Sequence, residues 1–308
     1  MKTKKGLLLA VAFAVFLILF PFFAPKFQLR MFTEIIILTL FAMTWKMMLN
    51  EGGMFSFGHA VYFGLGAYAS VLGWLHIPGL SFLSGILLGA LVSALVAFLL
   101  GAFLVRMSGT YFALLTLAFN QLIWAIVWKW RDVTGGDDGL GKFPKPDLFG
   151  LAMKNPVSFY YVALVIIGIG LYICWYFTKT PMGNVALSIK SNEERAKFVG
   201  FNVQATKLIF LTLLGFLAGI SGALYAQFQE FIATSVIDGM MSTNVLFMAY
   251  IGGTGFFWGP IIGSGIFVYL SEYLSSFTDR WELILGLIFI AVVLFAPQGI
   301  MGVVRKKK

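Results

Sequence analysis

The stretch LSFLSGILLGALVSALVAFLLGAFLV, from Leu80 to Val105, contains no charged residue. A helix needs about 20 apolar residues to cross the hydrocarbon core of a bilayer, and this stretch is long enough. The rest of the chain has the same character, since 60% of its 308 residues are hydrophobic and only 11% are charged. A soluble domain carries roughly 25% charged residues. The composition therefore indicates an integral membrane protein and excludes a soluble enzyme, a disordered chain and a nucleic-acid-binding domain.

The apolar segments are continuous rather than alternating, which favours helices over a β-barrel. They predict an all-α, polytopic transmembrane bundle that forms a single domain over residues 1–308. About ten spans are expected, including short and broken ones: Gly6–Ala24, Met31–Leu49, Ala60–Ile77, Leu80–Val105, Tyr111–Trp128, Ser158–Phe177, Leu208–Phe228, Ser242–Ile251, Ile261–Tyr273 and Glu282–Ala296.

The placement of lysine and arginine predicts the orientation, because basic residues accumulate in cytoplasmic loops. With a cytoplasmic N-terminus, 14 of the 22 basic residues fall inside and 8 outside. Both basic termini then lie in the cytoplasm, and the number of spans is even. This arrangement places the loop 178–207 in the cytoplasm and the loop 129–157 on the periplasmic or extracellular side. The second of these carries five basic residues, which makes it the weakest fit to the rule.

Small residues recur at four-residue spacing in several spans and predict close helix packing in lipid. The series are Gly85, Gly89, Ser93, Ala97 and Gly101; Gly215, Gly219 and Ala223; and Gly255, Gly259 and Gly263. Two glycine-rich stretches interrupt the apolar runs, at Gly52–His59 and at Gly252–Pro260. Irregular backbone at membrane depth is tolerated only inside protein or beside water, and broken helices are typical of transport paths. Both breaks are therefore expected to border a translocation path.

The loop 178–207 is the longest charged segment predicted to be cytoplasmic, and its sequence favours two short helices. Thr180 followed by Pro181 is typical of an N-cap and a first helical position. Ser191–Glu194 fits a capping box in which Glu194 supports the helix start, and Gly200 fits a C-terminal stop. A solvated connector is the alternative interpretation.

The sequence contains no motif for metal-dependent, nucleophilic or ATP-hydrolysing chemistry, so the chain is not expected to be an enzyme and any ATPase must be a separate subunit. Its single cysteine, Cys174, cannot form an internal disulfide. Ion-coupled carriers use ionisable residues buried in the membrane. Here Glu34 is expected near an outer helix end, and Lys46 is expected near an inner end, where its side chain can snorkel to the interface.

Several motifs occur in the order found in one transporter family. They are SFGHA (Ser56–Ala60), FGLGAY (Phe63–Tyr68), GTYFA (Gly109–Ala113), TLAF (Thr116–Phe119), TGGDDGL (Thr134–Leu140), GALYA (Gly222–Ala226), GGTG (Gly252–Gly255), WGP (Trp258–Pro260) and LFAP (Leu294–Pro297). With these motifs the chain resembles the LivM-like permease subunits of branched-chain amino-acid ABC importers over nearly its whole length from Met43.

The resemblance implies a permease in a cell membrane, the inner membrane in a bacterium or the cell membrane in an archaeon. Its expected partners are a second, homologous permease, two ATPase subunits that bind ATP and magnesium, and a periplasmic or lipid-anchored binding protein. No cofactor is expected in this chain. The family's ATPase-docking pattern, E-A-A-x-x-x-G, is matched loosely with arginine in place of the middle alanine. It assigns coupling to Glu193, Glu194, Arg195, Ala196 and Gly200.

Leucine, isoleucine and valine combine two charged groups with an apolar tail, so their path needs small, polar and apolar side chains together. The candidates for such a path are Ser56, His59, Tyr62, Thr116, Asn120, Gln121, Gly253 and Trp258. Similar permeases carry urea, short amides or other amino acids, and these substrates stay open. An ion-coupled secondary carrier or channel is the lower alternative, which transport without ATP would favour.

Overall fold

The computed structural model describes residues 15–296 and 298–306. This part of the chain is almost entirely helical, as the apolar runs predict. In order, the helices are α1 (residues 15–23), α2 (Lys26–Asn50), α3 (Ala60–His76), α4 (Phe82–Leu104), α5 (Gly109–Lys129), α6 (Arg131–Thr134), α7 (Pro156–Phe177), α8 (Pro181–Ser191), α9 (Glu193–Phe198), α10 (Val203–Gln229), α11 (Gly239–Gly252), α12 (Gly259–Ser275), α13 (Trp281–Phe295) and α14 (Gly299–Lys306). Two 3₁₀ turns (Gly136–Asp138 and Thr234–Val236) and two short strands, β1 (Leu140–Gly141) and β2 (Phe231–Ile232), complete them.

Six stretches of the described chain are long and apolar enough to cross a membrane. They are Lys26–Asn50, Phe82–Leu104, Gly109–Lys129, Pro156–Phe177, Val203–Gln229 and Trp281–Gly302. Three helices predicted as spans are shorter, with 17 residues in α3, 14 in α11 and 17 in α12. Residues 6–14 of the predicted first span lie outside the described residues. The structure thus gives a multi-pass helical bundle in which several helices cover only part of a membrane's thickness.

The centre of the bundle is α2, which is buried along most of its length and packs against α7, α10, α11 and α12. Hydroxyl groups join it to its neighbours. The Ser221 hydroxyl donates to the Ile37 carbonyl at 2.6 Å, and the hydroxyls of Thr39 and Ser264 are 2.6 Å apart. Because lipid offers no hydrogen-bond partner, such groups are satisfied between helices.

The small-residue series on α4 packs as predicted. Gly85, Gly89, Ser93, Ala97 and Gly101 are all buried and face α3 and α10, where Gly215 and Gly219 lie. The third predicted series is wrong, because Gly255 lies exposed in the turn before α12 rather than on its helical face. The turn separates it from Gly259 and Gly263, which pack against α11.

Lys46 differs from the sequence expectation, because its side chain is only 2% exposed and does not reach the interface. Its Nζ lies 2.6 Å from a carboxylate oxygen of Glu51 and 5.7 Å from the centre of the Phe257 ring. Glu51 directly follows α2 in helical conformation, about one turn beyond Lys46, so its carboxylate lies beside the lysine. A buried cation needs such a partner, and Glu51 supplies it within the same segment.

The loop 129–157 is held to the segment after α10 by β1, which pairs antiparallel with β2. Strands of two residues have no periodicity, so this pairing could not be predicted from the apolar pattern. Nearby, Lys145 Nζ lies 2.7 Å from Glu230 Oε1. That hydrogen bond holds the pKa of Glu230 below its usual range, which favours its carboxylate form.

Candidate functional site

The first glycine-rich break folds back beside α2 instead of leaving the bundle. The Trp45 indole N–H donates to the Ser56 carbonyl at 2.8 Å, and Thr44 Oγ1 lies 2.9 Å from His59 Nε2. Residues 54–59 therefore run back along the last turns of α2, antiparallel to it. The helix α3 then begins at Ala60 inside the protein. Ser56 and His59 are buried, as irregular backbone at membrane depth must be.

The second break also lies beside these turns of α2, where the centre of the Phe257 ring is 5.7 Å from Lys46 Nζ. Tyr250, near the end of α11, has its ring 5.9 Å from that of Trp45. Gly253 has φ +106°, and a Cβ there would lie 2.5 Å from the carbonyl oxygen of Gln298. The break is thus packed against the start of α14, and only glycine fits without displacing that backbone.

A buried polar network joins the first break to α5 and α11. The Phe57 N–H donates to Thr116 Oγ1 at 3.1 Å, and the Ala60 N–H donates to the Ser242 hydroxyl at 3.0 Å. That hydroxyl also lies 3.3 Å from Asn120 Oδ1. The network satisfies backbone N–H groups at and just before the first turn of α3, which have no partner within the helix.

Five of the eight predicted path residues lie together, and the other three lie apart from them. Ser56, His59, Thr116 and Asn120 lie together in the buried network region, and the Tyr62 ring meets that of His59 at 5.6 Å. Gln121 is exposed on α5, and Trp258 lies apart at the edge of an apolar cleft of about 700 Å³ between α2, α7 and α12. Gly253 belongs to the second break.

Thr44 and Ser242 are members of the polar region that the sequence reasoning missed. Both are hydroxyl residues near the ends of apolar runs, and a hydroxyl at such a position is common enough that it carries no specific signal. Their partners come from segments distant in sequence, so only the folded chain identifies them.

The predicted cytoplasmic loop contains the two short helices expected from its sequence. Thr180 caps α8, with its hydroxyl accepting the Gly183 N–H at 3.2 Å and Pro181 in the first turn. The capping box at Ser191–Glu194 is wrong. Asn192 caps α9 instead, accepting the Arg195 N–H at 2.8 Å, while the Ser191 hydroxyl bonds back to α8. Asparagine is as good an N-cap as serine. Ser191 is still the last residue of α8, whereas Asn192 lies between the two helices and is free to cap α9.

Gly200 ends α9 as predicted, with φ +96°. Its N–H bonds to the Lys197 carbonyl at 2.9 Å, and the Phe201 N–H bonds to the Ala196 carbonyl at 3.1 Å. These two bonds form a Schellman motif, which satisfies the last carbonyls of the helix and turns the chain sharply.

The five predicted coupling residues do not share one surface. Ala196 is buried with Ile189 and Val203 in a small separate core. Glu193 also faces inward and bonds to Lys207 at 2.7 Å and Lys197 at 3.1 Å. Burial alone would raise the pKa of Glu193, but these two hydrogen bonds outweigh it and hold the pKa below its usual range. Glu193 and Ala196 therefore fix α9 onto α10.

Glu194, Arg195 and Gly200 lie on the outer side of the loop, together with two residues that the sequence reasoning missed. Phe198 is 90% exposed and Val199 is 69% exposed. The available signal was an apolar pair inside an otherwise charged loop. An exposed phenylalanine on a rigid turn is typical of an anchor for a partner protein.

The loop is also tied to the first break. Lys190 Nζ donates to the Asn50 carbonyl at 2.7 Å and lies 3.3 Å from Asn50 Oδ1. A polar cleft of about 380 Å³ lies here, lined in part by Gly52, Gly53 and Glu193. A displacement of α8 or α9 would therefore act directly on the end of α2.

Within the part of the chain that the structure describes, no group of three His, Cys, Asp or Glu side chains could hold a metal ion.

Comparison with known proteins adds the family. The family described as "Branched-chain amino acid transport system / permease component" matches residues 28–293. The high-affinity branched-chain amino acid transport system permease protein LivM of Salmonella typhimurium is 25% identical over 98% of this chain and 76% of its own length. LivM of Escherichia coli K12 is 24% identical with the same coverage.

An archaeal relative is also similar. The probable branched-chain amino acid transport permease protein LivH of Methanocaldococcus jannaschii is 29% identical over 62% of this chain and 64% of its own length. No solved structure matches the chain. With a family match over most of its length and a multi-pass helical bundle, the chain belongs to the branched-chain amino acid transport permease family.

Proposed function

We propose that this chain is the membrane-spanning permease subunit of an ATP-driven importer for leucine, isoleucine and valine. The observation that carries the proposal is the α8–α9 pair. It is capped at both ends, fixed to α10 through Glu193, joined to the first break through Lys190, and presents Phe198 to solvent. A movement of the ATPase can therefore displace this rigid loop, and the loop can transmit the displacement to the broken spans.

The proposed topology has about ten spans in a bacterial inner membrane or an archaeal cell membrane, with both termini in the cytoplasm. The loop 178–207 is cytoplasmic and the loop 129–157 is periplasmic or extracellular, within one domain over residues 1–308. The 14-to-8 distribution of basic residues supports this arrangement.

The proposed assembly pairs this chain with a homologous permease, places two ATPases beneath them and a binding protein above. ATP and magnesium bind to the ATPases, and this chain carries no cofactor. We propose that Glu194, Arg195, Phe198 and Gly200 meet the ATPase, while Glu193 and Ala196 hold the loop in position.

We propose that substrate passes between the two breaks by alternating access, along a path bordered by Ser56, His59, Tyr62, Thr116, Asn120, Gln121, Gly253 and Trp258. In the present conformation the path is closed to solvent around Ser56, His59, Thr116 and Asn120, because these four side chains are buried. Movement of α3 or α11 would open the polar network to the path.

The test is uptake of labelled leucine by the complete complex in liposomes, with ATP inside or outside. Leucine uptake that requires ATP at the ATPase side and the loaded binding protein is expected. Competition by isoleucine and valine, but not by urea or acetamide, is expected as well. Equal uptake without ATP would indicate a carrier or channel, and competition by urea or acetamide alone would overturn the substrate assignment.

A further inference from the structure

The helix α11 begins inside the bundle rather than at its outer face. After β2, residues 233–238 descend into the protein, and Ile237 is fully buried against Gly64 of α3. The Asn120 side-chain N–H donates to the Ile237 carbonyl at 2.9 Å. Asn120 lies about 16 Å from one end of α5 and about 14 Å from the other, at a rise of about 1.5 Å per residue. The residue after Ile237 therefore lies near the middle of the membrane.

That residue is Asp238. Its Oδ1 accepts the Gly239 N–H at 2.6 Å and caps α11, which accounts for one of its two carboxylate oxygens. Among the described residues, no lysine, arginine or histidine forms an ion pair with it. Its side chain is half-buried, so one side opens to the protein surface. An unpaired carboxylate is thus accessible at mid-membrane depth.

Gln121 stands beside it on α5. Its Nε2 is 3.3 Å from the point where a Cβ on Gly239 would lie, and its side chain is exposed. An amide and a carboxylate on one surface at this depth are both costly in contact with hydrocarbon. In membrane proteins such groups face a bundle interior or a water-filled cavity. The face that carries Gln121 and Asp238 therefore borders an aqueous path.

We propose that Asp238, with Gln121 beside it, binds the α-ammonium group of the amino acid as it crosses the middle of the membrane. This inference rests on the proposed function and names a substrate contact within it. An amino acid brings its own cation to a carboxylate that no cation of the described residues pairs with, and a charge-assisted hydrogen bond to the free carboxylate oxygen replaces lost hydration. Urea and short amides have no such cation and gain nothing from a carboxylate here.

Asp238→Asn and Asp238→Ser test the assignment, because both residues retain the N-cap of α11 and remove the charge. Asp147→Asn, an exposed acid in the outer loop, is the matched control. The purified complex in liposomes is assayed for leucine uptake, for ATP hydrolysis stimulated by leucine-loaded binding protein, and for assembly. Both Asp238 variants are expected to lower leucine uptake by about tenfold, the scale of one charge-assisted bond. Stimulated ATP hydrolysis and assembly should be unchanged, and the control should match the unmodified protein in every assay.

Normal leucine uptake in both variants would overturn the assignment. Loss of assembly or of stimulated ATP hydrolysis together with uptake would also overturn it, since Asp238 would then hold a helix or pair with a partner subunit. If the unmodified complex shows no ATP-driven leucine uptake, the proposed function fails, and the ammonium assignment fails with it. If the unmodified complex takes up leucine with ATP while the Asp238 variants behave like it, only the ammonium assignment fails and the proposed function stands.

Discussion

Gly200 has a backbone conformation that side chains with a Cβ adopt only at a cost. With φ +96° it lies in the left-handed region, and a residue with a Cβ loses about 1–2 kcal/mol there. No atom lies within 4 Å of the Cβ position, so the effect of a substitution is on the backbone and not on packing. The Schellman motif that presents Phe198 and Val199 depends on this conformation.

Gly200→Val is therefore expected to loosen the loop. Both leucine uptake and ATP hydrolysis stimulated by the loaded binding protein should fall together, while membrane insertion stays intact. Gly150→Val is a matched control, because Gly150 also has a positive φ, +82°, with no atom within 4 Å, but lies in the loop 129–157. Normal coupling in Gly200→Val would return the loop to a solvated connector.

Phe198 is the residue on which the ATPase contact is expected to depend most. A buried aromatic anchor in an interface contributes about 2 kcal/mol or more when it is truncated to alanine. Phe198→Ala should weaken ATPase binding by roughly 30-fold. The measurement is the affinity of purified ATPase for the permease pair in detergent. Phe149→Ala controls for loss of an exposed aromatic ring, since Phe149 is 92% exposed in the loop 129–157. Equal ATPase affinity in both variants would contradict the role of Phe198.

At the scale of elements, the two breaks share one design. Each inserts irregular backbone into the protein beside the last turns of α2, where Trp45 contacts the Ser56 carbonyl of the first break and the ring of Tyr250, just before the second. The helices α3 and α11 both begin inside the bundle, where the Ala60 N–H and the Ser242 hydroxyl join their first turns. Half-helices that meet at mid-membrane can tilt without breaking a full-length span.

Gly253→Leu tests the second break. The side chain would enter the space of the Gln298 carbonyl and force a strained φ, so the contact between α11 and α14 must shift. Leucine uptake should be blocked while the complex still assembles, as judged by co-purification. Gly255→Leu is the control, because its Cβ would meet no atom within 4 Å and its φ is not positive. Unchanged uptake in Gly253→Leu would make the segment a mere connector.

At the scale of the whole molecule, the loop 178–207, the end of α2 and the first break form one connected unit. Asn50 is the last residue of α2, and its carbonyl accepts a hydrogen bond from the Lys190 ammonium. Residues 54–59 return from that point to the start of α3. On the other side of the loop, Glu193 holds Lys207 at the start of α10. A partner that moves α9 therefore acts on α2 and α10, and α10 packs closely against α3.

The orientation of the molecule is open to a direct test. Cys174, the single cysteine of the chain, is buried and should not react, so introduced cysteines report without background. Ser191→Cys in the loop 178–207 should label with an impermeant thiol reagent only after the cells are opened. Asp147→Cys in the loop 129–157 should label in intact cells. Strong labelling at position 191 in intact cells would refute the proposed topology.

The sequence by itself determined the class of the protein and most of its helices. Long apolar runs with few charges have only one stable solution in a bilayer, so the all-helical bundle follows from composition and length. Local signals also sufficed for Thr180 as a cap and Gly200 as a stop, because caps depend on residues close in the chain. The Asn192 cap was missed since two neighbouring residues could each fill that role.

Only the tertiary structure decided which polar residues meet. Apolar periodicity does not distinguish a helix that faces lipid from one that faces another helix, because both surfaces are apolar. The network of Thr116, Asn120 and Ser242 and the depth of Asp238 arise from contacts between segments distant in sequence. The burial of Lys46 arises from packing around the end of α2, as its contact with the Phe257 ring shows. Position in three dimensions decides these features, since a side chain's cost or use in a membrane depends on its depth and its neighbours.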